Sequence, residues 1–339
     1  MPEPQTPTTR PRRGRRDAAV VLVLTLSCAS AAALLTARET PTASAAPAAP
    51  AVPAAPAAPV AGKAPASGGQ RAANVFLRAP GSPVTVIAHR GASSAAPENT
   101  LVSDEVARRA GARWIENDVQ PSEDGVPYVL HDTTVDRTTD GTGPIRDLTA
   151  AELDALDAGS WFAPAFTGAR VPTLAAQLDD LRRRGGNLVL EIKGRHSRDE
   201  VARIVEEIRG HDMTGRVLVQ SFDPEALRHT RALAPELPLG LLRDKLDPDP
   251  VAVAEELGLS TYNPSATELT TRPEAVRELH AAGVAVMVWT VDSPARWKTL
   301  DALGADGIIT NRPAELTGWN AAQAPDGSRG RPVLEVDRT

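Results

Sequence analysis

The chain has 339 residues, room for one large or two ordinary domains, and its 42% hydrophobic and 24% charged content suits a globular protein with a sizeable core. A net charge of −6 at pH 7 argues against a nucleic-acid surface. The single cysteine, Cys28, lies in an apolar run near the N-terminus, so the body of the chain has neither a disulfide framework nor a thiolate metal site.

Residues 1–45 run from a basic cluster (Arg10, Arg12, Arg13, Arg15, Arg16) through an uncharged apolar stretch over 18–37 to Ala43-Ser44-Ala45. That order reads as a secretory signal peptide and predicts a secreted protein whose mature form is not stably inserted in a membrane. The apolar run also approaches the length of a membrane span, so an uncleaved anchor is the rival reading. Residues 46–82 are alanine and proline with almost no large apolar side chain, which predicts an extended, mobile spacer. The fold is expected to begin near Pro83 and to run to about 318, with a polar, frayed tail over 319–339.

Short apolar runs predict strands over 84–88, 114–119, 126–130, 187–192, 216–221, 237–242, 259–262, 284–290 and 307–310. Amphipathic stretches over 100–110, 174–184, 198–209, 224–233, 273–281 and 294–303 fill most of the gaps. Alternating strand and helix over about 230 residues predicts a (β/α)8 TIM barrel, with a doubly wound sheet as runner-up. Nine candidate strands for eight places leave one outside the barrel. The link from Val119 to Val126 is too short for a parallel crossover. Residues 132–172 carry little strand signal and read as a small insertion after the third strand.

Polar residues gather at the predicted C-terminal ends of these strands. His89 and Arg90 end the first, Glu116 and Asp118 lie two apart in the second, and His131 and Asp132 end the third. Glu191 and Lys193 end the fourth, Gln220 and Ser221 the fifth, Asn263 the seventh, Trp289 and Asp292 the eighth. Barrel enzymes build their sites at those ends. Glu116, Asp118 and Glu191 suppress one another's ionisation unless a cation lies among them or nearby Arg and Lys pair them. Their all-oxygen chemistry suits Ca²⁺ or Mg²⁺ rather than zinc. His89 and His131 can serve as base and acid, and Arg90 and Lys193 suit a phosphate. The remaining histidines, His196, His211, His229 and His280, read as surface or structural groups. "DRTTDGTG" at 136–143 lacks the closing glutamate of a calcium loop and reads as a turn in the insertion.

"AHRG", "PENT", "IENDV", "DGVPYVLHD", "EIK", "VWTVD" and "GIITNRP", in this order and spacing over 84–315, resemble the glycerophosphodiester phosphodiesterases. The resemblance implies a barrel with a small insertion after the third strand. It also implies cation-dependent hydrolysis of a small-molecule glycerophosphodiester to glycerol 3-phosphate and an alcohol, through a cyclic phosphate. It further implies His89 and His131 as the acid–base pair, Glu116, Asp118 and Glu191 as metal ligands, and Arg90 and Lys193 as phosphate ligands. Trp289 would wall the glycerol. Ca²⁺ is favoured over Mg²⁺ because secreted compartments are calcium-rich. Two positions depart from the family's pattern: Asn117, where an apolar residue is usual, and Asn311, often an aspartate. Asn117 is expected to point away from the site. Rival readings are a related phosphodiesterase acting on lysophospholipids, sphingomyelin or teichoic acid, and a non-catalytic surface-binding protein on the same fold.

Overall fold

The computed structural model describes residues 74–323. The expected signal peptide, most of the expected spacer and residues 324–339 lie outside the described residues. Among the described residues nine strands form: β1 (Thr85–His89), β2 (Trp114–Pro121), β3 (Pro127–Val129), β4 (Asn187–Ile192), β5 (Val217–Ser221), β6 (Leu239–Arg243), β7 (Thr261–Pro264), β8 (Ala285–Val288) and β9 (Gly307–Thr310). Eight of them pair in parallel in the order β1-β2-β4-β5-β6-β7-β8-β9, and β9 returns to β1 to close a (β/α)8 barrel. The supernumerary strand is β3, antiparallel to the upper end of β2. The short Val119–Val126 link is therefore a hairpin, which needs no crossover.

Helices α1 (Leu101–Arg109), α2 (Ala150–Ala155), α3 (Leu174–Arg184), α4 (Arg198–Gly210), α5 (Pro224–Leu233), α6 (Pro250–Leu257), α7 (Ala266–Thr271), α8 (Glu274–Ala281), α9 (Pro294–Leu303) and α10 (Pro313–Gln323) follow in chain order. All but α2 accompany the barrel; α2 belongs to the insertion. Sequence stop and start signals hold them: Thr100 caps α1 with Ser103 in a reciprocal box, and Ser197 does the same for α4 with Glu200. Four helices were not expected. α2 in the insertion and α7 are only six residues long, α6 carries little polar contrast along its length, and α10 runs on into the predicted tail.

Period-two alternation divides the barrel interior into layers. Ile87, Val189, Leu218, Met287 and Ile309 point inward and form an apolar plug. Two residues further along their strands stand His89, Glu191, Gln220, Trp289 and Asn311. The step from plug to mouth is one pleat. Outward-facing residues such as Leu188, Leu190 and Ile192 pack under the helices in the main core. Each buried aliphatic contributes about 1.5–3 kcal/mol, so a strand buried on both faces is strongly fixed in place.

Two expected boundaries move. Residues 74–82 are not spacer: Asn74 Nδ2 donates to Ser260 O (2.7 Å) and Gly283 O (2.9 Å), and Phe76 packs on Trp114 with ring centroids 5.5 Å apart. The barrel floor needs an apolar cover, and Phe76 supplies it against the plug. At the other end α10 continues past 318, because Trp319 meets Trp297 edge-on (6.3 Å) and Asn320 Nδ2 donates to Val84 O (2.9 Å). The residues expected to fray from 319 are thus helical to Gln323.

Candidate active site

Strand pairing sets the site. His89 sits opposite Glu116, Asp118 opposite Glu191, and Glu191 opposite Gln220, so four neighbouring strands deliver their polar residues side by side. His131 arrives differently. β3 runs back down beside β2, and Leu130 N donates to Asp118 O (2.9 Å), so the hairpin returns the chain to the level of the carboxylates. His131 then lines the same cleft of about 100 Å³ as His89, Arg90, Glu116, Glu191, Lys193 and Trp289. Larger hollows of about 510 and 640 Å³ lie at the barrel's opposite end, lined by the N-terminal segment and without convergent chemistry. The active cleft is small because charged side chains fill it.

The turn after β1 is built for this geometry. Arg90 has φ 55° and Gly91 φ 79°, both in the left-handed region. A Cβ on Gly91 would lie 2.3 Å from Ser103 Oγ, so only glycine fits. The non-glycine left-handed residue costs roughly 1–2 kcal/mol, offset by its bonds. Arg90 N donates to Glu116 Oε2 (3.2 Å), and Asn99 N donates to Arg90 O (3.0 Å). The result directs the Arg90 guanidinium over Asp118 (3.3 Å) and against Glu98 (2.8 Å).

Glu116, Asp118 and Glu191 are buried, and one carboxylate oxygen from each lies within 4.8 Å of the others. Burial and the neighbouring Asp118 and Glu191 charges push the Glu116 carboxyl well above its usual range. Burial and Asp118 push Glu191 up to about 8. Burial opposes ionisation of Asp118 too, yet Arg90, Lys193 and His131 hold it down to about 2. Lys193 Nζ reaches Asp118 (3.3 Å) and Glu191 (3.1 Å). Two cations serving three clustered carboxylates leave negative charge uncompensated, so the residues fit a hard divalent cation bound through oxygen.

The two histidines stand in contrast. His89 is 16% exposed at the side chain, and desolvation together with the Arg90 charge lowers it to about 4. Its Nδ1 lies 2.7 Å from Asn311 Oδ1 and its Nε2 4.0 Å from Glu116. His131 is more open, 28% exposed at the side chain, with Nδ1 2.7 Å from Asp132 Oδ1. Trp289 forms one wall: its Nε1 donates to Asn263 O (2.8 Å) and its ring meets Phe222 edge-on at 5.3 Å. Gln220 Nε2 donates to Glu116 Oε1 (3.3 Å) and Asn263 Nδ2 to Gln220 Oε1 (2.9 Å). That chain passes Gly240, where a Cβ would lie 2.5 Å from Thr261 Oγ1.

All eight residues singled out from sequence gather here. Asn117 points away as expected, donating to Gln177 outside the barrel wall. Glu98, Asn99, Arg137, Phe222 and Asp292 were given no role from sequence. "PENT" was a visible signal for the first two, since a loop that follows His-Arg-Gly directly must pack beside it. His196 and His280 are structural: the first is 7% exposed in the loop after β4, the second pairs with Asp306 at 2.8 Å.

Fold and site together define a barrel hydrolase with paired histidines beside a carboxylate cluster. Residues 89–315 match the glycerophosphoryl diester phosphodiesterase family, and the chain belongs to that family. It is 36% identical over 235 residues to a glycerophosphodiester phosphodiesterase of Caldanaerobacter subterraneus, covering 68% of this chain and 95% of that one. It is 32% identical over 247 residues to one from Bacillus subtilis, covering 68% and 84%. Among solved structures, an Oleispira antarctica phosphodiesterase in complex with the product sn-glycerol-3-phosphate superposes with TM-score 0.66 at 32% identity, covering 69% of this chain and 96% of that one. A glycerophosphodiester phosphodiesterase from Agrobacterium tumefaciens gives 0.63 at 33% identity, covering 69% and 99%.

Proposed function

We propose that the protein hydrolyses glycerophosphodiesters to glycerol 3-phosphate and an alcohol, with His89 as base, His131 as acid and a cyclic phosphate between the two half-reactions. The observation that carries this is the juxtaposition in one cleft of two histidines, His89 beside Glu116 at 16% side-chain exposure and His131 beside Asp132 at 28%. Burial keeps His89 neutral at physiological pH, so Nε2 can accept a proton. A glycerol hydroxyl next to the esterified carbon is within reach of the phosphorus, and its attack has the entropy advantage of an intramolecular step. His131, held through Nδ1, presents Nε2 to protonate the departing alcohol. Arg90 and Lys193 face the phosphate oxygens, and Trp289 with Phe222 walls the glycerol carbons. Glu116, Asp118 and Glu191 would hold a divalent cation, which when bound would supply charge neutralisation at the phosphate and lower the pKa of a nearby hydroxyl. Oxygen-only ligands and an exported setting favour Ca²⁺ over Mg²⁺. Export is part of the reading, supported by the basic, apolar and small-residue order of the N-terminus. N-terminal sequencing of the secreted form checks it, and a start at Met1 would refute cleavage.

The deciding experiment is an assay of the purified protein on glycerophosphocholine with and without Ca²⁺. Cation-dependent release of glycerol 3-phosphate supports the reading. Release of phosphocholine, or binding without turnover, would overturn it.

A further inference from the structure

Arg137 belongs to the insertion and lies in the "DRTTDGTG" stretch that reads from sequence as a plain turn. Its guanidinium holds two carboxylates at once. Nη1 donates to Glu98 Oε2 (2.9 Å) and Nη2 to Glu98 Oε1 (2.8 Å), while Nε donates to Asp132 Oδ2 (2.6 Å) and Nη2 also to Asp132 Oδ1 (3.1 Å). Each carboxylate then holds a group of the site. Glu98 Oε1 accepts from Arg90 Nη1 at 2.8 Å, and Asp132 Oδ1 lies 2.7 Å from His131 Nδ1. An unbroken line of charge-assisted bonds therefore runs Arg90–Glu98–Arg137–Asp132–His131.

We infer that Arg137 is a positioning residue: it ties the loop that aims Arg90 to the loop that aims His131, so that acid and phosphate ligand keep one fixed separation. The inference rests on reading His131 as the acid and Arg90 as a phosphate ligand.

Three observations carry it. Gln120 Nε2 on β2 ties the carbonyls of Leu130, His131 and Asp132 to the barrel, but it touches neither the Asp132 carboxylate nor the imidazole, whose orientation is left to Arg137. Glu98 lies on the β1–α1 loop, next to Asn99, which is bonded to Asp118 (3.0 Å), and so provides an anchor tied to the barrel. Arg137 is the only described group bonded to both carboxylates. The Arg137 hydrogen bonds hold Asp132 well below the usual carboxylate range, and Glu98 is also lowered although burial opposes it. A planar fork with five donors can serve two carboxylates in one plane, whereas a lysine ammonium cannot reproduce that geometry. At 44% side-chain exposure the pairs add little to overall stability, which leaves orientation as the contribution.

The test compares two glycerophosphodiesters, one releasing an alkyl alcohol and one releasing 4-nitrophenol, whose low pKa removes the need for an acid. Arg137→Ala should lose about 10- to 100-fold in kcat on the alkyl diester and less than about threefold on the nitrophenyl diester. KM should rise on both because Arg90 loses its brace. Arg137→Lys should behave like the alanine variant, and millimolar guanidinium chloride should restore part of the activity to Arg137→Ala but none to His131→Ala. Equal kcat losses on both diesters, or an Arg137→Lys enzyme at the wild-type rate, would overturn the proposal. If Arg137→Ala does not fold, the lysine variant decides. His131→Ala separates the two levels: if it shows no leaving-group dependence, the acid assignment itself fails. If it shows that dependence and the Arg137 variants do not, only the role of Arg137 fails.

Discussion

Asn311 fixes the tautomer of His89. The Asn311 Nδ2 lies 2.7 Å from Asp292 Oδ2, and a carboxylate only accepts, so the amide must present its NH₂ to Asp292. Its oxygen then faces His89 Nδ1 at 2.7 Å and also accepts from Ser93 Oγ at 2.8 Å. His89 Nδ1 therefore carries the proton, and Nε2 turns its lone pair toward Glu116.

Replacing that neutral acceptor with a charged one has a definite sign. Asn311→Asp places a carboxylate against His89, stabilises the imidazolium and raises a pKa that burial and Arg90 hold at about 4. The base must be neutral, so the acidic limb of kcat/KM should move to higher pH by about one unit. A limb that stays in place would show that His89 is not the base.

Glu116 and Glu191 both hold their protons unusually tightly, through burial and repulsion from the Asp118 charge. Cation binding at this cluster should therefore release protons near neutral pH, and affinity should rise with pH. Titrating Ca²⁺ into the weakly buffered, metal-free protein at pH 7 measures the release directly. Glu116→Gln removes a ligand charge at constant size and should weaken Ca²⁺ binding about 10-fold or more. Proton-neutral binding of undiminished affinity in that variant would place the cation elsewhere.

His89→Ala and His131→Ala should each lose about 10²-fold or more in kcat. A diester in which hydrogen replaces the adjacent hydroxyl should be a very poor substrate. Its hydrolysis at the normal rate would mean that water attacks directly, and the two histidines would exchange or lose their roles.

Outside the barrel wall, Asp104 on α1 is fully buried and accepts from Gln177 Nε2 at 2.7 Å. Burial raises its carboxyl to about 7. The folded state thus binds this proton more tightly than the unfolded chain, so stability falls as pH rises from about 4 to 7. Asp104→Asn removes the titration and should raise Tm at pH 8, by an amount equivalent to a few kcal/mol at most, with little change at pH 4. Thermal melts at the two pH values check this, and equal shifts at both would contradict it.

The barrel was legible because each strand's apolar run turns polar at one end. Ile87 to His89, Val189 to Glu191 and Leu218 to Gln220 are the same step repeated, and the strand register then aligns them. Loop partners show no such step, and "PENT" marks Glu98 only as a neighbour of the His-Arg-Gly turn, not as a partner of Arg137. Glu98, Arg137 and Asn311 act through contacts 39 and 222 residues apart in sequence, and no local periodicity reports these. The floor segment was hidden for another reason: averaging over an Ala/Pro-rich stretch conceals the few residues, Asn74, Phe76 and Arg78, that do the packing.

That floor segment also sets which way the enzyme looks. Asn74 enters beneath the starts of β7 and β8, and α10 docks beside the start of β1, so both ends of the described chain meet the barrel on the face opposite His89 and His131. Residue 74 itself therefore lies on the face opposite the cleft. A support or fusion partner coupled there would leave the approach to His89 and His131 open to diesters arriving from solution.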